Sequence, residues 1–174
     1  MPNPTSQAQR SRTGAPTQGC PAPLPVPTVH LDYAAGRRGV PAPAGFRCWI
    51  AAALQGARHC EPAELSIRIV GAREGRALNR QYRGKDYATN VLSFPAELPR
   101  GVVLPLLGDL AICAPVVARE ARDQGKARRD HYAHLTVHGV LHLLGFDHQN
   151  ARDAARMEKL ETGILAKLGI ADPY

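Results

Sequence analysis

The 174-residue sequence has few aromatic residues and no long apolar run. Aromatic residues make up 5% of the chain, so aliphatic side chains and alanine must fill most of the core. No stretch approaches the roughly 18 consecutive apolar residues that a membrane-spanning helix needs. The N-terminus also lacks the apolar core of a secretory signal. These absences predict a soluble, cytoplasmic protein with no membrane partner.

Paired cysteines and a glycine-rich nucleotide-binding loop are missing as well. The four cysteines are widely scattered and include no Cys-x-x-Cys pair; they are Cys20, Cys48, Cys60 and Cys113. In an intracellular protein this scatter favours reduced thiols over a disulfide framework.

Residues 1–27 differ in composition from the rest of the chain. They are rich in proline, alanine, serine, threonine and glutamine and have no hydrophobic period. Such a segment cannot bury enough apolar surface to offset the entropy lost on ordering, so we predict a disordered Pro/Ala-rich tail. Residues 28–174 are long enough to form one domain with its own core.

Hydrophobic periodicity in residues 28–174 predicts four strands and five helices. The strands are expected over 29–33, 65–71, 89–95 and 107–113, and the helices over 46–54, 74–82, 115–124, 131–144 and 152–168. Asp130 is a candidate N-cap for the fourth helix. Apolar residues occur on nearly every side of this helix, so we expect it to be central and largely buried. We predict a single α+β domain with a four-stranded mixed sheet packed by about five helices.

The central helix carries a histidine pattern with metal-ligand spacing. His138 and His142 are four residues apart, which places them on one helix face about one turn from each other. Gly145 can end the helix in the left-handed conformation and return the chain, bringing His148 toward the same point. Three imidazoles with no fourth protein ligand predict an open site for one zinc ion, on the central helix and the loop after it.

The residue after the first histidine limits the chemistry of this site. The ligand spacing matches that of metzincin proteases, in which a glutamate at that position is the general base. Here the position is Gly139, which cannot accept a proton, so a peptidase is disfavoured. Asp147 could act as the base or could orient an imidazole through its ring N–H, and the second role is favoured. Asp109, a carboxylate in an apolar strand, is expected to be paired, either by capping backbone groups or by helping to hold a ligand histidine.

Several separated motifs occur in one order along the chain. They are residues 78–86 (LNRQYRGKD), 89–95 (TNVLSFP), 107–109 (LGD), 138–148 (HGVLHLLGFDH) and the closing 172–174 (DPY). Together these motifs resemble those of the bacterial YbeY endoribonucleases. The resemblance covers roughly residues 29–174 and excludes the tail. It implies a single-strand-specific, metal-dependent endoribonuclease that matures the 3′ end of small-subunit rRNA and serves ribosome quality control.

The resemblance also implies functions for individual residues. It implies that His138, His142 and His148 hold zinc and that Arg83 is catalytic, where a guanidinium would grip phosphate oxygens. The alternative for Arg83 is a solvated turn residue paired with Asp86. His131 and His134, on the same helix row, are expected to be packed or supporting residues.

The formal net charge of +7 suits single-stranded RNA and the small ribosomal subunit as partners, and no DNA partner is expected. Two basic clusters adjoin the motifs and could form a channel for RNA; they are Arg80, Arg83 and Lys85, and Lys126, Arg128 and Arg129. Because no strong general base is visible, a second interpretation stays open. In that interpretation the protein is a ribosome-assembly or RNA-binding factor whose metal is mainly structural.

Overall fold

The computed structural model describes residues 25–147 and 150–174. Its elements in chain order are β1 (Thr28–Asp32), α1 (Pro43–Gly56), β2 (Glu64–Val70), α2 (Ala72–Arg83), β3 (Val91–Pro95), β4 (Leu106–Cys113), α3 (Ala114–Asp123), α4 (Arg128–Leu143) and α5 (Ala151–Lys167). The predicted α+β domain with four strands and five helices is confirmed.

The four strands form one mixed sheet in the order β1-β2-β4-β3. Strands β1, β2 and β4 run parallel, and β3 pairs antiparallel with β4 at the edge of the sheet. Helix α1 makes the crossover between the first two parallel strands, as parallel connections require. The edge strand β3 therefore lies beside β4, and it also contacts helix α4.

Side chains alternate across the sheet and divide the core into two unequal parts. In β4, Leu110 and Ile112 enter the main core, whereas Ala111 and Cys113 enter a smaller cluster on the other face. This period of two is the one the sequence displays. Helices α1, α4 and α5 contribute buried side chains to the main core, and Leu78 of α2 packs against the smaller cluster.

Helix α4 lies at the centre of the main core, as its all-round apolar pattern predicts. Tyr132, Val140 and Leu141, on different sides of the helix, are all fully buried. The helix begins three residues earlier than expected, because Ala127 occupies the cap position without a side-chain hydrogen bond. The predicted cap at Asp130 is therefore wrong. Asp130 lies within the first turn, where a negative charge still favours the helix dipole.

The chain turns sharply after α4. Gly145 has φ of +87°, in the left-handed region expected of a glycine that follows a helix. The next helix, α5, is capped by Asn150, whose side chain accepts a hydrogen bond from the backbone N–H of Asp153. The predicted ligand His148 lies between these two points, outside the described residues.

Three expectations drawn from composition meet different outcomes. Within the described residues, no helix has the length and apolar character needed to cross a membrane. Cys48 and Cys113 are free thiols, as their scattered spacing predicts, but Cys60 is disulfide-bonded, so the prediction of reduced thiols is wrong there. Residues 1–24, most of the predicted tail, lie outside the described residues.

The phenol of Tyr132 provides a test of the core. Its side chain is fully buried, and its hydroxyl has no hydrogen-bond partner among the described residues. Burying an unpaired hydroxyl costs free energy, so Tyr132→Phe should raise the free energy of unfolding by about 1 kcal/mol at pH 7. Urea unfolding followed by circular dichroism measures this difference. A loss of stability in the variant would contradict the packing described.

The same substitution should alter the pH dependence of stability. Burial raises the pKa of Tyr132 to about 12, whereas the unfolded phenol ionises near about 10. Wild-type stability should therefore fall as the pH rises from about 10 toward 12, because only the unfolded state releases this proton readily. The advantage of Tyr132→Phe should grow over that interval. Tyr87→Phe, at an exposed tyrosine, is the matched control.

Candidate metal centre

The last two turns of α4 bring two of the predicted ligands together. His138 Nε2 and His142 Nε2 are 3.1 Å apart. Both residues line a cavity of about 520 Å³ with Gly145 and Asp147, which follow the helix. Two imidazole ligands of a tetrahedral zinc ion, each about 2.05 Å from it, would be separated by about 3.3 Å. The nitrogen pair therefore fits a shared metal ion.

A buried carboxylate contacts His138 through Nδ1, the ring nitrogen that does not face His142. Glu161 of α5 is fully buried, and its Oε1 lies 2.7 Å from His138 Nδ1. Its other oxygen, Oε2, accepts a hydrogen bond from the Tyr174 hydroxyl. Both oxygens of the carboxylate are thus engaged inside the protein.

The hydrogen bonds determine the charge state of Glu161. Burial alone would raise the pKa of this carboxyl, but the hydrogen bonds from His138 and Tyr174, with the attraction of His138, outweigh it and hold the pKa below its usual value. The carboxyl is therefore ionised at neutral pH. Burial, reinforced by the neighbouring Glu161, raises the pKa of Tyr174, so its hydroxyl keeps the proton that it donates.

Arg83 is the cation that lines the same cavity. It is the last residue of α2, immediately before Gly84, whose φ of +67° ends the helix. Its side chain is exposed, and within the described residues it forms no ion pair. Asp86, the partner considered from the sequence, instead receives two hydrogen bonds from Arg76, at 2.9 and 2.6 Å.

The turn from α2 to β3 is held in place by a buried amide. Asn79 is 1% exposed, and its side-chain N–H donates to the Tyr87 carbonyl at 2.7 Å. This bond closes the turn over the end of α2 and sets where β3 begins. Asn90 and Val91, at the start of β3, line the cavity opposite the histidines. The buried amide thus fixes the distance between the Arg83 backbone and the edge strand.

Gly139 marks a close approach between α4 and the sheet. A Cβ added there would lie 2.8 Å from Leu110 Cδ2 of β4. The Gly139 carbonyl also accepts a long hydrogen bond, 3.4 Å, from the Ser93 hydroxyl of β3. The position that holds the base in metzincins therefore faces the sheet here. An added methyl group would force Leu110 or the helix to move, so glycine suits this close contact in addition to lacking a proton acceptor.

His134 belongs to a second group that could hold a metal ion. Ligand atoms of His134, His138 and Glu161 all lie within 4.8 Å of one another. Neither ring nitrogen of His134 has a hydrogen-bond partner among the described residues. Burial lowers its pKa to about 4, so the imidazole is neutral. His131, also expected to be packed, is 4% exposed and bonds Glu120 Oε2 through Nε2 at 2.8 Å.

The carboxylates singled out from the sequence do not include Glu161, which hydrogen-bonds His138. Asp147 lines the cavity, which is compatible with either function considered for it. Asp109 is exposed on the opposite face of β4, beside Phe94 and away from the histidines. Glu161 was missed, although it falls in the apolar stripe of α5 between Met157 and Ile164. A charge in such a stripe was the available signal.

The two basic clusters lie at different places. Arg83 of the first cluster reaches the cavity, whereas the second begins at the opposite end of α4. Arg128 precedes His142 by fourteen positions, or about 21 Å along the helix. Lys126 is engaged by the Pro173 carbonyl at 2.6 Å, and Arg129 stacks on Trp49. The second cluster therefore does not flank the histidine cavity, because the helix that follows it separates the two.

An accessible cavity that combines convergent imidazoles, a carboxylate and an unpaired guanidinium defines the class of site found in metal-assisted hydrolases. Comparison with known proteins identifies the family. Residues 42–169 match the family model described as Endoribonuclease YbeY. The chain therefore belongs to the YbeY endoribonuclease family.

Individual relatives agree with this assignment. Proteins named Endoribonuclease YbeY from Stenotrophomonas maltophilia (strain R551-3) and Xanthomonas campestris pv. campestris (strain B100) are 65% and 61% identical over 150 residues. Each match covers 84% of this chain and 92% of the relative. A solution structure of a Thermotoga maritima protein, 20% identical, has the same fold with a TM-score of 0.52, covering 84% of this chain and 97% of that one.

The packing at Gly139 provides a test of the centre's scaffold. Gly139→Ala should lower the free energy of unfolding by about 1–3 kcal/mol, because the new methyl group forces Leu110 or the helix to move. Gly163→Ala in α5 is the matched control, since nothing lies within 4 Å of its added Cβ. That control should be neutral or stabilising by up to about 1 kcal/mol. Equal effects at the two positions in thermal unfolding would contradict the close approach.

Proposed function

We propose that this chain is a zinc-dependent, single-strand-specific endoribonuclease that acts in rRNA maturation and ribosome quality control. In this proposal residues 28–174 form the catalytic domain and the substrate is the 3′ end of small-subunit rRNA in the cytoplasm. Family membership supports the reaction class. One geometric observation carries the site assignment: the Nε2 atoms of His138 and His142 converge in the cavity that also contains Arg83.

Zinc is assigned to His138, His142 and His148, with one ion per chain. Imidazole nitrogens suit zinc, and the spacing of His148 after Gly145 supports it as the third ligand. The buried group of His134, His138 and Glu161 is the weaker candidate, because both Glu161 oxygens already accept hydrogen bonds. In this group Glu161 contacts His138 Nδ1, the ring nitrogen opposite the Nε2 atom that faces His142 in the cavity.

The residues of the cavity suggest how a phosphodiester would be handled. When bound, zinc would supply Lewis-acid polarisation of a phosphoryl oxygen and lower the pKa of a coordinated water. Arg83 would bind the non-bridging phosphate oxygens and stabilise the charge that builds on them. Among the residues that the structure describes, no carboxylate forms an ion pair with its guanidinium. Asp147 is the cavity carboxylate available to accept a proton or to orient an imidazole.

The cavity lining and the charge support a single-stranded substrate in this proposal. Residues of β3 and Gly145 both line the cavity, and a flexible single strand can bring one phosphate to the histidines there more readily than a stiff duplex can. The net charge of +7 favours binding of RNA through counterion release. A ribosome-assembly factor with a structural metal is the second candidate, because the proposed centre would join α4 to the segment after Gly145.

A cleavage assay with defined variants tests the proposal. Purified protein of known zinc content is incubated with single-stranded rRNA 3′-end precursor and with the same sequence in a duplex. Wild type should bind one zinc ion and cleave only the single strand. His138→Ala should lose both zinc and cleavage, whereas Arg83→Ala should keep zinc but cleave about 10²–10³-fold more slowly.

Arg73→Ala is the matched control, because Arg73 is an exposed arginine on the same helix, outside the cavity lining. It should retain zinc and wild-type cleavage. Unchanged cleavage in Arg83→Ala would remove the function assigned to that residue. Intact RNA with zinc-loaded wild type would overturn the nuclease proposal in favour of the assembly factor.

A further inference from the structure

Burying a carboxylate in this small core costs free energy, even when both of its oxygens accept hydrogen bonds. Glu161 is 0% exposed, and taking an ionised group out of water costs several kcal/mol unless it is paired and hydrogen-bonded. Well-packed apolar residues often replace such a group at no loss of stability. The apolar neighbours of Glu161 on α5, Met157 and Ile164, show that an apolar residue would suit this stripe. Stability alone therefore does not explain the glutamate.

The contact with His138 has a chemical consequence at the opposite side of the imidazole ring. Glu161 Oε1 lies 2.7 Å from His138 Nδ1, and because a carboxylate oxygen accepts hydrogen bonds, this contact places the ring proton of His138 on Nδ1. The lone pair of neutral His138 is then on Nε2, which faces His142 Nε2 in the cavity. A histidine with the other tautomer could not offer Nε2 as a ligand.

Tyr174 keeps the carboxylate in this orientation. Its hydroxyl donates to Glu161 Oε2, which leaves Oε1 for His138. The segment that carries Tyr174 is anchored beside it, because the Pro173 carbonyl accepts a 2.6 Å hydrogen bond from Lys126 Nζ. The Tyr174 ring also packs edge-on against His134, with ring centroids 5.7 Å apart. Tyr174 is thus held in place both by the hydrogen bond at the preceding residue and by the packing of its own ring.

We infer that Glu161 and Tyr174 are positioning residues that fix the tautomer and orientation of His138 and thereby set the affinity of the cavity for a metal ion. The chain of contacts runs from the Tyr174 hydroxyl through the Glu161 carboxylate to His138 Nδ1. Carboxylates that accept the second ring N–H of a metal-binding histidine act in this way in many zinc sites. The part of the inference that concerns metal affinity rests on the proposed function, whereas the part that concerns the tautomer does not.

Zinc affinity gives the first test. Dissociation constants are measured by competition with a chromophoric chelator for wild type, Glu161→Gln and Tyr174→Phe. Glu161→Gln keeps the shape but removes the charge, and its dissociation constant should rise about 10- to 100-fold. Tyr174→Phe removes one hydrogen bond, and its dissociation constant should rise about threefold to tenfold. Glu158→Gln and Tyr87→Phe, at exposed positions, are matched controls and should stay within about twofold of wild type.

The imidazole tautomer gives a second test that needs no metal. Nitrogen-15 NMR of ¹⁵N-histidine-labelled, metal-free protein at about pH 8 reports which ring nitrogen of each neutral histidine carries the proton. His138 should be the Nδ1–H tautomer in wild type and a mixture of tautomers in Glu161→Gln. A glutamate with a purely structural function would not change this signal when replaced by an isosteric amide.

The two tests separate the possible outcomes. A Glu161→Gln variant with wild-type zinc affinity and an unchanged His138 tautomer would overturn the inference. If wild type binds no zinc, the proposed function fails, and the tautomer comparison still decides the function of Glu161. If Glu161→Gln does not fold, Tyr174→Phe decides, because Tyr174 is 64% exposed as a whole and the substitution removes only its hydroxyl: an unchanged zinc affinity in that variant would overturn the inference.

Discussion

The packing of helix α4 against β3 and β4 is the contact on which the arrangement of the cavity depends. Gly139 allows the helix axis to come close enough for its backbone carbonyl to accept a hydrogen bond from Ser93. At this separation the residues next to the glycine along the helix lie either in the core or at the cavity. Val140 and Leu141 are fully buried, whereas His138 and His142 face the cavity. A bulkier residue would force Leu110 to move, or else the helix and both histidines with it.

Two other elements are fixed relative to this helix by buried polar contacts. The Asn79 amide closes the turn after α2, which places Arg83 at the cavity and keeps Asp86 with Arg76. On the other side of α4, α5 brings Glu161 against His138. The guanidinium and the carboxylate thus approach the histidines from separate elements, with the cation open to the cavity and the anion enclosed. This separation prevents the two charges from neutralising each other.

Local patterns in the sequence were sufficient to predict the elements and the histidine pair. Periods of 2 and 3.6 residues report which face of a strand or helix is buried, and a four-residue spacing on a helix brings side chains together whatever the remaining fold. The cap of α4 was misplaced because Ala127 begins the helix without the side-chain bond that marks most N-termini. Asp109 drew attention because it interrupts an apolar strand, yet it lies on the exposed face of the sheet. Glu161 and Tyr174 could not be paired with His138 from the sequence, because 23 positions separate Glu161 from the histidine and no local period relates them.

We propose that a metal ion binds between His138 and His142 in the cavity beside Arg83. Anomalous X-ray scattering at the zinc absorption edge, measured on crystals of the zinc-loaded protein, locates the ion directly. We expect a single peak about 2.0–2.1 Å from both His138 Nε2 and His142 Nε2, with His148 as the third ligand. A peak between His134 and Glu161, or zinc bound with no peak near His142, would contradict this assignment.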